Sequence, residues 1–432
     1  MTTAFVRLWG KRVGAVLLDG PGEVATFEYD RDFVAGGIEV SPLEMPLSAN
    51  RLYRFPGLAR EAFSGLPGLL ADSLPDRFGN RLIDEYLAAN GMSRAEFDSV
   101  QRLCYVGDRG IGALEFEPAS GPGADADTDV DVAALRELAA DVLADRAKWT
   151  ADMTSVGAIA EILQVGTSAG GARPKAVVAW NPQTDQIRTG QADAPAGFEH
   201  WILKFDGVSE RGREVGSSAG YGQVEYAYSL MAAEAGIEMS TCRLYDEGGR
   251  HHFMTKRFDR LGTADKLHMQ SLAGLCHFDF NDPRAYSYEQ AFLAITQLGL
   301  GGDAHEQQFR RMLFNVIARN QDDHVKNIAL LMSPDGRWSL SPAFDLTWSF
   351  NPQGRFTSTH QMSINRKRDN FTLEDFRACS ENALLRRGRW SDVLAEVQIA
   401  VSRWPEFAAQ AGVPDDRAEA IGATHRREFA KG

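Results

Sequence analysis

Three oxygen-bearing side chains lie near one another in the C-terminal half of the chain. The segment Asn320-Gln-Asp-Asp-His-Val-Lys-Asn327 places Asp322 five residues before Asn327, and Asp345 follows at the end of the next strand pattern. Phosphoryl transfer requires one carboxylate that orients a hydroxyl nucleophile, together with an amide and a second carboxylate that bind magnesium. The order Asp, Asn, Asp therefore predicts a phosphotransferase site.

The surrounding elements can position this segment. Apolar residues at helical spacing predict a helix that ends just before the loop: Phe309, Met312, Leu313, Val316 and Ile317. After the loop, the runs 328–332 and 338–344 flank a Ser-Pro-Asp-Gly turn and predict a β-hairpin. This hairpin would return Asp345 to the edge where Asn327 lies, so that both could bind one cation. Asn, Asp and His are also ordinary loop and capping residues, and that alternative stays open.

Composition narrows the classes of function. The chain has 432 residues, of which 44% are apolar and 24% charged, as in globular proteins of two or three domains. It has no apolar run of ~20 residues and no signal-peptide hydrophobic region, so we expect a cytoplasmic protein outside the membrane. A net charge of -13 argues against a surface devoted to nucleic acid. The four cysteines lack the spacing of a disulfide framework or zinc site.

Patterns along the chain predict an order of regions. Short strand patterns with one helix come first and close with a strand at 110–116. A linker rich in Pro, Gly and Asp follows, and then a helix from about Val130 that Thr128 or Asp129 would cap. A small sheet region with one central helix precedes a mainly helical region, which is the order of a kinase-like fold. The predicted segments are an N-terminal subdomain, a linker with a connecting helix, a small lobe and a helical lobe: residues 1–118, 119–149, 150–260 and 261–432.

A glycine-rich loop at residues 166–175 could bind phosphate through its backbone amides. Its candidate phosphate-binding residues are Ser168, Gly170, Gly171 and Lys175. The loop matches the GxSxG spelling of a serine-hydrolase elbow, but an elbow requires a strand before it and a helix after it. Here a helical pattern precedes the loop and a strand follows. A Walker loop fails on spelling, and a dinucleotide fingerprint needs a following helix. A kinase-like glycine loop that leads into a strand fits best.

The next strand pattern, residues 200–206, places Lys204 inside an apolar run, where a charge is costly unless it has a partner. In kinases such a lysine binds the nucleotide phosphates and pairs with a glutamate of the following helix. Glu225 lies in the first turn of the helix predicted here and is the natural partner, whereas Glu234 lies near its far end. A lysine that extends to solvent from an edge strand is the alternative.

Residues 251–258 form a strand pattern at the point where a hinge would join two lobes, and their backbone could contact an adenine edge. The adjacent His251 and His252 could suggest a metal. Because no third ligand lies at useful spacing, we interpret the pair as part of the strand's flank.

Taken together, these residues resemble the HipA-type serine/threonine kinase toxins of bacterial toxin–antitoxin modules, over nearly the whole chain. The motifs that carry the resemblance are 63–80 and 110–116 in the N-terminal subdomain, then 168–175, 201–205, 256–260, the Asp322–Asn327 loop and 340–345. The resemblance implies an α+β, bilobal protein-kinase-like fold, with a small β-rich N-lobe, a mainly helical C-lobe and an extra α/β N-terminal subdomain.

The resemblance also implies roles for single residues. Lys204 would contact the ATP phosphates, Lys256, Arg257 and Phe258 would form the adenine-binding hinge, and Asp259 would lie near the ribose. Asp322 would be the catalytic base, Asn327 and Asp345 the Mg²⁺ ligands, and Lys326 and His324 would support the transferred phosphate. Ser168 corresponds to a serine that these kinases phosphorylate on themselves. Arg173 and Pro174 depart from the family's loop, so the phosphate contacts there can differ.

The resemblance further implies partners: a helix-turn-helix antitoxin (HipB-like), DNA contacted only indirectly through the antitoxin complex, and a protein substrate of which an aminoacyl-tRNA synthetase is typical. Autophosphorylation at Ser168 would add ~1.5 to 2 negative charges to a phosphate-binding loop and so switch the enzyme off. Two alternatives remain: a small-molecule or lipid kinase, and a catalytically weak kinase-fold corepressor of an antitoxin. The lack of a basic membrane-docking segment disfavours lipid.

Overall fold

An antiparallel sheet occupies the N-terminal part of the molecule. The computed structural model describes residues 1–20, 22–89, 91, 97–121, 129–143, 173–190, 193–208 and 220–431. The strands of this first sheet are β1 (Thr2–Leu8), β2 (Lys11–Leu18), β3 (Thr26–Tyr29), β4 (Leu52–Tyr53) and β5 (Leu114–Glu117). Their spatial order is β4, β3, β2, β1, β5, with antiparallel neighbours. On β1, Ala4, Val6 and Leu8 are buried and the residues between them are not, as the two-residue period of a half-buried strand requires.

Helices cover this sheet and connect it to the rest of the chain. They are α1 (Arg31–Ala35), α2 (Arg60–Phe63), α3 (Gly68–Ala71), α4 (Arg77–Ala89), α5 (Ser99–Val106) and α6 (Val132–Leu143). α4 does not share the core of the first sheet: Phe78, Leu82 and Ile83 pack with Trp201 and Leu203 of the next sheet. The apolar face of α4 therefore joins the two sheet regions.

The second sheet lies between the N-terminal region and the helical region. Its described strands are β6 (Lys175–Trp180), β7 (Ile187–Thr189), β8 (Glu199–Lys204), β9 (Cys242–Glu247) and β10 (Arg250–Lys256), in the spatial order β7, β6, β8, β10, β9. Helix α7 (Tyr221–Glu234) packs against β9 and β10 and is buried on most sides, since Val224, Tyr228 and Met231 belong to the core of the helical region. α7 thus connects the second sheet to the helices that follow.

The C-terminal part is mainly helical, as predicted. A two-stranded pair, β11 (Arg260–Leu261) and β12 (Asp265–Lys266), leads into a third sheet of β13 (His268–Ser271), β14 (Ala329–Met332) and β15 (Trp338–Leu340). The helices are α8 (Leu272–Leu275), α9 (Tyr288–Gln297), α10 (Gly302–Ile317), α11 (Leu373–Asn382), α12 (Arg389–Ser402), α13 (Trp404–Gln410) and α14 (Asp415–Gly422). Within the described ranges, no helix is both long and apolar enough to cross a bilayer.

Two local predictions need correction. The pattern at 110–116 forms a strand only from Leu114, because Gly112 has a φ of 77° and bends the chain before it. Helix α6 begins at Val132, and Asp131 rather than Asp129 accepts a hydrogen bond from a first-turn N–H, that of Ala134, while Thr128 lies outside the described residues. The mixture of helices and sheets is confirmed.

Candidate active site

The loop that carries Asp322 starts where α10 ends, at Ile317, as predicted. Arg319 adopts a φ of 58°, which turns the chain out of the helix. Asn320 then donates its Nδ2 to Oδ1 of Asn315 at 2.9 Å, and the N–H of Gln321 donates to the carbonyl of Ser349 at 3.1 Å. A single 3₁₀ turn at Val325–Asn327 ends the loop and leads into β14. The loop is therefore held at both ends by defined contacts.

Hydrogen bonds hold the side chains of both Asp322 and Asn327 at this loop. Gln361 donates its Nε2 to Oδ1 of Asp322 at 2.6 Å. Asn327 donates its Nδ2 to the carbonyl oxygen of Asp322 at 3.0 Å, which leaves its Oδ1 as the oxygen available to a cation. The hydrogen bond between Asn327 and Asp322, which are five residues apart, thus folds the loop back on itself.

Asp323, the next residue, is buried and performs a structural role. Its carboxylate accepts hydrogen bonds from the hydroxyl of Tyr288, the Nδ1 of His360 and the N–H of Gln361, each at 2.8 Å. A carboxylate that accepts three hydrogen bonds is well compensated for its burial. Asp323 therefore fixes the loop from below and leaves Asp322 facing outward.

The predicted hairpin is present and delivers Asp345 to the same place. Leu330 pairs with Leu340 and Met332 with Trp338 across β14 and β15. Asp345 follows the hairpin with a φ of 53°, a left-handed conformation that is uncommon for a residue with a side chain and often marks functional sites. Asp345, Asn327 and His324 line one small cavity.

Lys204 connects Asp345 to the second sheet. Its Nζ donates a hydrogen bond to Oε1 of Glu225 at 2.6 Å and another to Oδ1 of Asp345. Glu225 is thereby confirmed as its partner, while Glu234 pairs with Arg403 on the surface. Burial lowers the pKa of Lys204, but the charges of Asp345 and Glu225 outweigh it and raise that pKa above its ordinary value. Burial raises the pKa of Asp345, and the charges of Lys204 and Lys175 more than offset this and lower it to about 2.

Lys175 lies beside Lys204 and faces the same cleft. The two residues are direct partners across the antiparallel strands β6 and β8, so their side chains project from the same face of the sheet. The Nζ of Lys175 lies 3.5 Å from Oδ2 of Asp76, which comes from the N-terminal region, and both side chains are 4% exposed. Arg173 places its guanidinium over the ring of Tyr221 and 4.0 Å from Oε2 of Glu225. Two cations from the end of the predicted glycine loop, Arg173 and Lys175, therefore lie beside the Lys204 site.

The remaining loop residues of the prediction, Ser168, Gly170 and Gly171, lie outside the described residues. Lys326 and His324 lie on the Asp322 loop, as their spacing requires. Lys326 extends over the ring of Phe280, with its Nζ 4.6 Å from the ring centroid. His324 adds its charge to those that lower the pKa of Asp345, so it is close to that carboxylate.

The residues predicted to form the adenine-binding hinge and to lie near the ribose occupy different surroundings in the structure. Lys256 ends β10, where its Nζ donates to Oε1 of Glu199 at 2.7 Å, and the ring of Phe258 lies 5.6 Å from that of Phe344, the residue before Asp345. Phe258 therefore borders the cleft through Phe344, whereas the Lys256 side chain pairs with the first residue of β8, at the opposite end of that strand from Lys204.

Arg257 and Asp259 point elsewhere. Asp259 is 2% exposed and is held by Arg257 at 2.6 Å and Arg260 at 2.7 Å, while the N–H of Gly112 donates to the same carboxylate at 2.7 Å. Burial raises the pKa of Asp259, but the two arginines outweigh it and lower that pKa well below its usual range. The Asp259 carboxylate would have to break its ion pairs with Arg257 and Arg260 before it could bind ribose. We therefore do not retain it, or the Arg257 side chain, as a nucleotide contact.

The donor set at this site suits magnesium better than a zinc-like metal. Across the described part of the chain, no group of three or more His, Cys, Asp or Glu side chains is placed to bind a metal. Magnesium usually keeps several waters and is bound by one or two carboxylates together with substrate phosphates. Asp345 and the Oδ1 of Asn327, which share a cavity, fit that requirement.

Comparison with protein families covers most of the chain. Residues 4–117 match the family model for the HipA N-terminal domain, and residues 167–428 match the model for the HipA-like C-terminal domain. The chain belongs to the HipA family. The resemblance inferred from the motifs is thus confirmed. The match to the N-terminal domain ends at residue 117, which is the last residue of β5.

Solved structures include a HipA protein with a similar fold. HipA from Shewanella oneidensis MR-1, solved with HipB and its operator DNA, covers 97% of this chain and 94% of its own, with 16% identity and a TM-score of 0.67. The proinflammatory kinase CtkA of Helicobacter pylori covers 60% of this chain and 90% of its own, with 12% identity and a TM-score of 0.38, which is too low to support a conclusion. No curated protein matches the sequence significantly.

Two residues of this HipA-family site were given no role from the sequence. Gln361, which orients Asp322, lies in a segment with no helix or strand pattern, so nothing local pointed to it. Asp76 lies in Leu-Pro-Asp just before α4, and its Oδ1 accepts a hydrogen bond from the N–H of Gly79 at 2.7 Å. A Pro-Asp pair before a helix is a common capping pattern and gives no sign of the second contact, with Lys175.

Proposed function

We propose that this chain is an ATP- and Mg²⁺-dependent serine/threonine protein kinase that acts as a growth-inhibiting toxin. The observation that carries the proposal is the position of the Lys204 ammonium, which contacts Glu225 and Asp345 together. In phosphoryl transfer, a lysine so placed binds the nucleotide phosphates and the glutamate orients it. The proposal includes a bilobal arrangement, with the second sheet and α7 as the small lobe and the helical region as the large lobe.

Asp322 would accept the proton of the substrate hydroxyl. Gln361 holds its Oδ1, and this contact leaves Oδ2 for a hydroxyl group. The Lys326 ammonium and the His324 ring on the same loop would support the transferred phosphate. Asp323 cannot take the role of base, because all three of its hydrogen bonds are made inside the protein.

Asp345 and Asn327 would hold Mg²⁺. A bound magnesium ion supplies neutralisation of charge on the phosphate oxygens. Because the pKa of Asp345 is lowered to about 2, its carboxylate is ionised at neutral pH, as a cation ligand must be. Lys204 would then share Asp345 with the cation and keep Glu225 as its own partner.

The backbone of Phe258 is the group that we assign to the adenine edge. The N–H groups of Lys256 and Arg257 already donate to the carbonyls of Thr241 and His200, at 2.8 and 2.9 Å. The Phe258 ring, beside Phe344, would form an apolar wall of the same pocket.

Autophosphorylation at Ser168 would switch the enzyme off by placing ~1.5 to 2 negative charges where phosphates must bind. Near-normal ATP affinity in a Ser168→Asp variant would contradict this part of the proposal. Loss of ATP binding in Ser168→Asp, with normal binding in Ser168→Asn, would support it.

The partners follow from the family. HipA of Shewanella oneidensis was solved with HipB and operator DNA. We propose that a HipB-like, helix-turn-helix antitoxin neutralises the present chain, that DNA is contacted through that complex, and that the substrate is a translation factor such as an aminoacyl-tRNA synthetase.

Transfer of labelled phosphate from ATP, with and without Mg²⁺, tests the catalytic proposal. Cell extract of the native host would supply substrates, and self-labelling would be scored separately. Lys204→Met and Asp322→Asn should each abolish transfer. Lys11→Met, which changes an exposed lysine of the first sheet, is the matched control and should leave transfer unchanged.

The alternatives predict different results. Transfer to a metabolite in the protein-free fraction of the extract would favour a small-molecule kinase. Absence of any Mg²⁺-dependent transfer by the unaltered protein, with or without antitoxin, would favour a kinase-fold corepressor and overturn the catalytic proposal.

A further inference from the structure

Asp76 is a buried carboxylate of the N-terminal region that lies near the cleft. Asp76 precedes α4 and uses its two oxygens differently: Oδ1 caps the helix at the N–H of Gly79, and Oδ2 lies 3.5 Å from the Nζ of Lys175. The residue is 8% exposed. A cap by itself can be made at the surface, so burial of this charge against the second sheet requires another explanation.

Electrostatics around the cleft explains why a carboxylate is needed there. Lys175 and Lys204 are direct cross-strand partners, and like charges directly opposite one another destabilise a sheet. Lys204 is balanced by Glu225 and Asp345. Lys175 is buried as deeply, and burial lowers its pKa although the nearby charge of Asp76 opposes that shift. Burial likewise raises the pKa of Asp76 against the charge of Lys175. Each member of the pair therefore favours the ionised form of the other, and Asp76 offsets part of the cost of a second ammonium beside Lys204.

In both lysine–carboxylate pairs, Lys204–Glu225 and Lys175–Asp76, the carboxylate comes from the start of a helix, at 2.6 Å in the first pair and 3.5 Å in the second. Glu225 approaches Lys204 from α7, and Asp76 approaches Lys175 from the start of α4. The charge of Lys175 acts on Asp345, and Lys326 of the catalytic loop acts on Asp76, so Asp76 and Lys175 lie within the same charged cluster as the proposed phosphate site. α4 is fixed to the second sheet by Phe78, Leu82 and Ile83, which makes the position of Asp76 rigid.

We propose that Asp76 is a positioning residue of the nucleotide site: it orients the Lys175 ammonium toward the ATP phosphates, as Glu225 does for Lys204. This inference rests on the proposed kinase function. It assigns to the N-terminal region a part in building the nucleotide site, in addition to any role in docking partners. Asp76 touches no reacting atom and acts through Lys175.

Nucleotide binding by Asp76→Asn tests the proposal in the full-length protein. Asparagine keeps the volume and the Oδ1 that caps α4, and it removes only the charge. We expect the Kd for an ATP analogue with Mg²⁺, measured by calorimetry, and the KM for ATP to rise about tenfold, with kcat changed less than about threefold. Asp76→Glu should restore part of the affinity.

Asp98→Asn is the matched control. Asp98 also belongs to the N-terminal region and caps a helix, α5, through a bond of 2.8 Å from the N–H of Gln101, and its contacts lie on Thr2 and Gln101. Its substitution should alter neither Kd nor KM. Melting temperatures of all variants would separate a loss of folding from a loss of affinity.

A double-mutant cycle identifies the residue through which Asp76 acts. If Asp76 works through Lys175, then Asp76→Asn combined with Lys175→Met should bind nucleotide no more weakly than Lys175→Met alone. Additive losses would overturn the proposal, and so would an unchanged or a lower Kd in Asp76→Asn. Failure of the unaltered protein to bind nucleotide would instead overturn the proposed function, and this inference with it.

Discussion

The Nζ of Lys204 and the Oε1 of Glu225 are 2.6 Å apart, although Lys204 ends strand β8 and Glu225 lies near the start of α7. Asp345 contacts the same ammonium from the other side. Lys204 therefore connects three parts of the structure: the second sheet, helix α7 and Asp345, which follows the hairpin. Because Glu225 is 2% exposed, its charge acts on Lys204 with little screening.

Neutralising Glu225 should impair catalysis more than folding. In Glu225→Gln the amide still offers an oxygen to Lys204, but the ammonium is left to Asp345, which the proposed metal also needs. We expect kcat/KM for ATP to fall about 10²-fold in the phosphate-transfer assay. Glu234→Gln, near the other end of α7 and paired with Arg403 on the surface, is the control. Equal effects of the two changes would contradict the assignment.

The neighbouring carboxylates Asp322 and Asp323 should separate activity from stability. Asp323→Asn removes a buried charge that accepts three hydrogen bonds, so the free energy of unfolding should fall by about 3 kcal/mol. Asp322→Asn should change it by less than about 1 kcal/mol while abolishing transfer. Urea titrations and transfer assays on both variants check this. If Asp322→Asn destabilised the protein and Asp323→Asn instead abolished transfer at unchanged stability, the roles of the two carboxylates would have been assigned the wrong way round.

Gly68 should be required for contact between the N-terminal and helical regions. A Cβ at this position would lie 2.1 Å from the carbonyl oxygen of Gly274 and 2.5 Å from a ring carbon of His277. We expect Gly68→Ala to destabilise the protein by about 1–3 kcal/mol or more and to expose α3 to limited proteolysis. At Gly57 a Cβ would meet nothing within 4 Å, so Gly57→Ala is the control. Equal stability of the two variants would refute the predicted clash.

The buried Arg257, Asp259 and Arg260 cluster should make stability depend on pH. The folded-state pKa of Asp259 is lowered, so its contribution is complete above the unfolded-state pKa of about 3.9 and is lost as pH falls toward the folded-state value. At pH 7, Asp259→Asn should cost about 3–5 kcal/mol. The difference between variant and unaltered protein should shrink below about pH 4. A pH-independent difference in urea unfolding would contradict the assigned charge state.

Sequence patterns determined the elements that are set by neighbouring residues. The apolar period predicted that a helix would end near Arg319, and α10 ends two residues earlier, at Ile317. The turn residues predicted the hairpin that delivers Asp345. The kinase pattern of a strand lysine and a glutamate in the following helix also indicated that Glu225 is the partner of Lys204. These predictions succeeded because helix period, turn chemistry and motif spacing are properties of short segments.

Contacts between distant segments were decided only by the tertiary structure. Asp259 belongs to a motif that suggested a ribose contact, yet the N–H of Gly112, 147 positions away, and two arginines enclose it. Asp76 received no role from the sequence, and only the packing of α4 on the second sheet brings it to Lys175. A local pattern specifies where a side chain leaves the backbone. Which charge it meets depends on how separate regions bury their apolar faces against each other, because burial is what makes an unpaired charge costly.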